Sequence, residues 1–278
     1  MSVIAPVTNH REREKGMLVY PVYSRRSGGL SIGINLFPDK KHCSFDCPYC
    51  EIFPFSKDAV FSPGQMEVDL RSVILTAQES NIPIKDICFS GNGEPTLSAN
   101  FSEALEIAGR IRDDIAGTAS MVLITNGTGL MTDRLFSLLK DAASGPLGLD
   151  IWLKLDAGTP EWYKKINRSV TPHELLIKKI KQFVSCAPVT IQAMLCAVDG
   201  MYPPPEEDAA WEKILLELIT ASGIFIRKVQ IYGKARPAPE DPKCSALPAE
   251  YLEKRAYSLR LALIRSLTGS MPLVEVYL

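Results

Sequence analysis

What this chain lacks narrows it before any motif is considered. None of its 278 residues belongs to a run near the ~18 consecutive apolar residues that a membrane-spanning helix requires. There is almost no net charge, with 31 basic against 32 acidic residues and a balance of −1, so nothing pulls the whole chain toward nucleic acid. The local basic clusters, Lys40-Lys41, Lys164-Lys165 with Arg168, and Lys178-Lys179 with Lys181, read as solvated faces. The segment Asn9 to Lys15 is charged and has no apolar centre of the kind a signal peptide carries. Seven cysteines without a framework spacing fit a reducing compartment better than a secreted disulfide scaffold. Together these absences predict a cytoplasmic protein with no membrane partner. Small tandem repeats are also absent.

What is present is concentrated in eight residues, Cys43-Ser44-Phe45-Asp46-Cys47-Pro48-Tyr49-Cys50, with the spacing Cys-x3-Cys-x2-Cys. Three thiolates this close can wrap one face of an inorganic cluster, and iron–sulfur cubanes ordinarily take four. One iron would then lack a protein ligand and could bind a small molecule. A zinc site needs a fourth Cys or His at short range, and His42, adjacent to Cys43, is poorly placed to be independent of it. A disulfide fits worse, because three is odd.

Strand and helix signals alternate along the chain. Met17 to Tyr23 and Leu30 to Phe37 read as strands around Ser27-Gly28-Gly29, and the cysteine loop follows the second. Helical periodicity covers Val68 to Gln78, Phe101 to Ile111, Leu130 to Ala142, Leu175 to Phe183, Trp211 to Thr220 and Ala249 to Leu267. Strands are expected at Asp86 to Ser90, Met121 to Thr125, Ile151 to Asp156, Val189 to Leu195, Phe225 to Tyr232 and Leu273 to Tyr277. Thr159-Pro160-Glu161 is a hydroxyl cap, a first-turn proline and an acid, and Thr171-Pro172-His173-Glu174 repeats the pattern. Six strand–helix units counted from Leu30 imply a parallel sheet and an α/β fold. The Pro-rich stretches Pro203-Pro204-Pro205 and Pro237 to Pro242 read as loops inside one domain. That domain is expected to span 1–278, with a core of about 17–240 and a C-terminal helix and strand over 241–278.

The cysteine loop resembles the cluster-binding loop of radical S-adenosylmethionine (SAM) enzymes. Tyr20 to Arg26, Ser31 to Leu36, Phe89-Ser90-Gly91-Asn92-Gly93-Glu94-Pro95-Thr96-Leu97, Ile124-Thr125-Asn126-Gly127, Lys154-Leu155-Asp156-Ala157-Gly158 and Gln230-Ile231-Tyr232 ahead of Arg236-Pro237 extend the likeness. They resemble the small iron–sulfur oxidoreductase branch related to the enzymes of wyosine base formation on tRNA. The resemblance implies a partial (β/α)6 TIM-like barrel and a [4Fe-4S] cluster on Cys43, Cys47 and Cys50. It implies SAM chelated to the open iron, and an electron donor such as flavodoxin or ferredoxin. The reaction it implies is reductive SAM cleavage to a 5′-deoxyadenosyl radical. Gly91, Gly93 and Glu94 would hold the SAM amino group, and Tyr49 would pack near the adenine or shield the cluster.

Other positions keep two readings. Thr125 and Asn126 either hydrogen-bond the ribose or methionine carboxylate, or begin an Asn-Gly turn. Lys154 and Asp156 share one strand face, as an ion pair or as SAM ligands with Lys154 on the carboxylate and Asp156 on the ribose. Gln192 points inward and could reach SAM or substrate. Tyr232 shares a face with Gln230 and belongs to the cofactor-binding set, and Arg236 is either an anion site or a surface charge. Cys88 and Cys186 look like small core residues. Cys196, ending a strand, and Cys244, in a late loop, could touch substrate. Wyosine-forming relatives can carry a second cluster with ligands N-terminal to the SAM motif, yet residues 1–42 hold no cysteine. A small molecule, a peptide and tRNA therefore all stand as substrates. The competing functions are a glycyl-radical-type activase acting on a partner protein and a non-catalytic zinc-binding protein.

Overall fold

The computed structural model describes residues 16–223, 225–267 and 270–278. The charged N-terminal segment through Lys15 lies outside the described residues. The chain forms two compact units. The first takes residues 1–43, 52–125 and 145–150, and the second takes 44–51, 126–144 and 151–278.

In the first unit, β1 (Val19–Ser24) pairs antiparallel with β2 (Gly29–Ile34). β2, β3 (Ile84–Phe89) and β4 (Ser120–Thr125) then run parallel. The connecting helices are α1 (Pro63–Glu79) and α2 (Phe101–Ile115). α1 starts five residues before its periodicity becomes readable (68 − 63), because the Ser62 hydroxyl accepts from Gln65 N and Pro63 occupies the first turn. Met66, Leu70, Ile74 and Ala77 bury its inner stripe. Gly33 is a packing requirement: a Cβ there would overlap the ring of Tyr20, which is fully buried and donates to or accepts from Ser90 Oγ at 2.9 Å.

In the second unit, β5 (Asp150–Lys154), β6 (Val189–Val198), β7 (Ile226–Gly233) and β9 (Leu273–Tyr277) are parallel neighbours in that order. The helices are α3 (Asp133–Ser144), α4 (Pro160–Ile166), α5 (His173–Val184), α6 (Pro205–Ser222) and α7 (Ala249–Ser266). Every residue of β6 is buried, as expected for a parallel strand covered on both faces. Lys154, Gln192, Gln230 and Glu275 stand opposite one another in register across these four strands.

The alternation read from the sequence is present, with β5 ending at Lys154, two residues before Asp156, and with three further differences. Thr159 caps α4 as expected, its hydroxyl accepting from Trp162 N, but Thr171 does not cap α5. There the cap is Pro172, which has no side-chain acceptor, and the helix starts at His173. Pro205 opens α6 instead of ending a loop, since proline is tolerated in a first turn. Cys244 does not lie in a loop. It belongs to a short strand, β8 (Cys244–Ala246), antiparallel to the end of β6. Three residues are too few to show a period. No helix among the described residues is long and apolar enough to cross a membrane.

Candidate active site

The first unit supplies the Gly91-to-Pro95 loop at the end of β3. Gly91 has φ +128, and a Cβ there would press on the Asn35 side chain. Asn35 Oδ1 accepts from Asn92 N at 3.1 Å, and Asn92 Nδ2 donates to Phe37 O at 3.0 Å. Gly93 also meets a packing requirement. A Cβ on it would overlap the His42 carbonyl, because His42 N donates to Asn92 O at 2.9 Å and Glu94 N donates to His42 O at 2.9 Å. The backbone just before the first cysteine thus fills the space that Gly93 leaves open, and Asn35 fills the space beside Gly91. Glu94 is 2% exposed, and its Oε1 accepts from Thr96 N at 3.2 Å, Thr96 Oγ1 at 2.7 Å and Thr125 Oγ1 at 2.7 Å. Glu94 and Thr125, assigned from separate motifs, are therefore hydrogen-bonded to each other.

In the second unit the cysteine loop is held at four points. Asn126 Nδ2 donates to Ser44 Oγ at 2.9 Å, Thr128 Oγ1 donates to Asn126 Oδ1 at 2.8 Å, and Ser44 and Thr128 hydroxyls meet at 2.6 Å. With Thr128 committed to Asn126, Ser44 must donate to Thr128, and the three side chains close a ring in which each donates once. Gly127, at φ +80, makes the left-handed turn expected of Asn-Gly. Asp46 N donates to Asn167 O at 2.9 Å. Arg236 Nη1 pairs with Glu51 Oε2 at 2.9 Å, so this arginine is tied to the residue after Cys50.

The fourth point is Tyr49, whose hydroxyl donates to Asp156 Oδ2 at 2.5 Å. Asp156 is the hub of the unit. Oδ2 also accepts from Asn167 Nδ2 at 2.8 Å and lies 3.3 Å from Lys154 Nζ, while Oδ1 accepts from Met194 N at 2.9 Å. Both oxygens are thereby occupied by protein donors. Lys154 Nζ donates to Tyr232 Oη at 2.7 Å and sits 5.0 Å and 5.3 Å from the Tyr49 and Tyr232 ring centres. Burial alone would lower the Lys154 pKa, but Asp156, with Tyr232 and Cys47, outweighs it and holds the ammonium above the ordinary lysine value. Burial and the Asp156 charge push the Tyr49 phenol well up, so it stays a donor. Gln192 is fully buried and donates through Nε2 to Gln230 Oε1 at 2.7 Å.

The structure thus gathers Tyr49, Lys154, Asp156 and Tyr232 into one contact set beside Cys47. Asn167 is the member the sequence did not single out. Its only signal was position, one residue past a helix whose start was readable. Cys196 and Cys244 are buried, with Sγ atoms 3.2 Å apart. Neither was readable as a pair without β8.

The donor set suits a cluster. All seven cysteines are free of disulfides, with Cys43 exposed and Cys47 and Cys50 part-buried. A cluster takes each thiolate on a different iron, so its ligands do not meet at one point. Among the described residues no three His, Cys, Asp or Glu side chains do meet as ligands of a single ion. Burial, then Asp156, push the Cys47 thiol up to about 12.

Comparison with known proteins agrees with this chemistry. The profile of the radical SAM superfamily matches residues 40–216. A UPF0026 protein of Synechocystis sp. is 32% identical over 224 residues, covering 79% of this chain and 76% of that protein. A UPF0026 protein of Helicobacter pylori (strain J99) is 30% identical over 125 residues, 44% of this chain but 38% of that protein, so the match spans well under half of that relative. Among solved structures, a radical SAM methyltransferase from Sphaerobacter thermophilus has a TM-score of 0.62 at 16% identity, covering 93% of this chain and 69% of that one. Streptococcus suis SuiB bound to S-adenosylmethionine has a TM-score of 0.61 at 12% identity, covering 85% and 48%. At such identities the likeness shows the fold, the partial barrel expected from six strand–helix units. A family profile over more than half the chain, laid on a three-cysteine loop clamped to a charged hub, makes this protein an enzyme of the radical SAM superfamily.

Proposed function

We propose that the chain binds a [4Fe-4S] cluster through Cys43, Cys47 and Cys50 together with SAM, and acts on a substrate of its own with electrons from a flavodoxin or ferredoxin. When bound, the cluster supplies the electron that cleaves the SAM sulfonium bond and releases a 5′-deoxyadenosyl radical. The observation that carries the proposal is the anchoring of the cysteine loop to Asp156 by Tyr49, which ties that loop to the part-buried Lys154 cation.

Lys154 is the cation for the SAM carboxylate. An ammonium has three N–H donors; two face Tyr232 and Asp156, which leaves one for a ligand. Its raised pKa opposes a neutral-amine role such as a Schiff base. Asp156 orients Lys154, Tyr49 and Asn167 and reaches the ribose only by exchanging a protein donor. Tyr49 keeps its ring available for stacking, since its hydroxyl is committed. Glu94 is the residue we assign to the SAM amino group, with Thr125 fixing its carboxylate through Oε1. Asn126 holds the cluster loop through Ser44, and Gln192, paired with Gln230, stands beside Lys154 at the same level of the sheet. The near-zero net charge favours a small molecule or peptide over tRNA.

The test is anaerobic reconstitution. The loaded chain is expected to be brown, to bind about four irons, and to release 5′-deoxyadenosine from SAM on reduction. Alanine at any one of Cys43, Cys47 or Cys50 should abolish the intact cubane and reductive SAM cleavage. A colourless zinc protein, or full cleavage in the triple alanine variant, refutes the reading.

A further inference from the structure

We infer that Asn167 is a positioning residue for the metal centre, whose side-chain amide donates to the sulfur of Cys47 and raises the reduction potential of the cluster. The inference rests on the proposed cluster binding and adds the residue that sets its redox poise. Asn167 is 2% exposed and caps the end of α4, its N donating to Tyr163 O at 2.9 Å. Nδ2 lies 2.8 Å from Asp156 Oδ2 and 3.6 Å from Cys47 Sγ. The main-chain oxygen accepts from Asp46 N at 2.9 Å, one residue before that cysteine.

The orientation of the amide is forced. A carboxylate and a metal-bound thiolate only accept hydrogen bonds, so the NH2 end must face both. One hydrogen serves Asp156 and the other serves the sulfur. A donor at a ligand sulfur draws electron density from it and favours the more negative, reduced cluster, so the potential rises. The contact also clamps the loop by side chain and backbone from the same residue. Because the amide is neutral, its replacement by an apolar group of similar size leaves the local formal charge unchanged while removing both amide bonds, to Asp156 and to Cys47.

The experiment uses the full chain, reconstituted anaerobically, and compares wild type with Asn167→Leu and Asn167→Ser by redox titration followed by EPR without SAM. The expected result for Asn167→Leu is a cluster harder to reduce, by about tenfold in the equilibrium, or roughly 59 mV for one electron. Asn167→Ser, which keeps a hydroxyl donor, should lie between. An unchanged potential in a folded, fully loaded Asn167→Leu overturns the inference. If neither variant loads, wild type grown with ¹⁵N-asparagine decides: a nitrogen coupling to the reduced cluster in electron spin echo spectra supports the contact, and its absence overturns it. If wild type binds no cluster, the proposed function fails and this inference falls with it, a different outcome from a loaded protein with an unmoved potential.

Discussion

Asp156 and Glu207 are both buried carboxylates of the second unit, and both hold the segment that follows β5. They hold it differently. Glu207 accepts from Gly158 N at 2.6 Å, Thr159 N at 2.7 Å and Thr159 Oγ1 at 2.6 Å, three donors from two consecutive residues. Gly158 must be glycine because a Cβ would overlap the backbone at Trp211. Asp156 draws its donors from the cysteine loop, β5, the end of α4 and β6, and one of them is a cation. A carboxylate that gathers neighbours in sequence closes a local turn. One that gathers distant segments around a buried charge organises a site.

That contrast can be broken experimentally. The largest effect should come from Asp156→Ala, which strands the Lys154 ammonium without its partner at a cost of about 3–5 kcal/mol. Urea titration of the apo chain measures it, and a loss under about 1 kcal/mol would put Asp156 in the same class as Glu207. Glu207→Ala should cost roughly 2–3 kcal/mol through the unsatisfied donors left behind. Iron content and SAM cleavage per folded chain should stay unchanged, and loss of either would erase the distinction.

Lys154→Met sharpens the comparison by removing the cation. SAM affinity should fall at least about tenfold, or 1.4 kcal/mol, by isothermal titration with the cluster intact. Because the folded pKa of Lys154 is raised, its contribution to stability is full below the unfolded lysine value of about 10.4 and is lost only as pH climbs through the folded value. The stability gap between wild type and Lys154→Met should therefore stay constant from about pH 7 to pH 9. A gap that closes within that range would mean the lysine is neutral. The smallest effect belongs to the thiol pair. Serine at both Cys196 and Cys244 should leave the iron count at about four, since a cubane already has its ligands elsewhere. Loss of about half from an initial eight would reveal a second cluster.

The alternation of β5 through β7 was legible because buried parallel strands and amphipathic helices write their periods into the sequence. The cysteine spacing singled out its loop and the Lys-x-Asp spacing singled out Lys154 and Asp156, although β5 ends at Lys154 and Asp156 lies just past it. The partners were not legible. Nothing local marks Asn167 as the donor to Cys47, because the two are 120 residues apart (167 − 47) and meet only after α4 is placed. The packing requirement at Gly93 was hidden for the same reason. A glycine after a strand looks alike in sequence whether a ligand or another stretch of backbone fills the space beside it.

The occupant of that space, the His42 peptide, has a consequence in time. The two main-chain bonds between His42 and the Asn92-to-Glu94 turn close a loop of 51 residues (93 − 42). Contacts of such separation pay their closure entropy before any return, so they form late. The glycine turn and the peptide before Cys43 therefore mature together, after β2, α1 and β3 have brought them within reach. Pulse-labelling hydrogen exchange should show the His42 and Glu94 amides gaining protection in one shared step, later than the amides of α1. Under the proposed cluster binding, iron offered before that step would meet thiols whose leading neighbour is still unanchored, and the expected order of assembly is chain first and metal second.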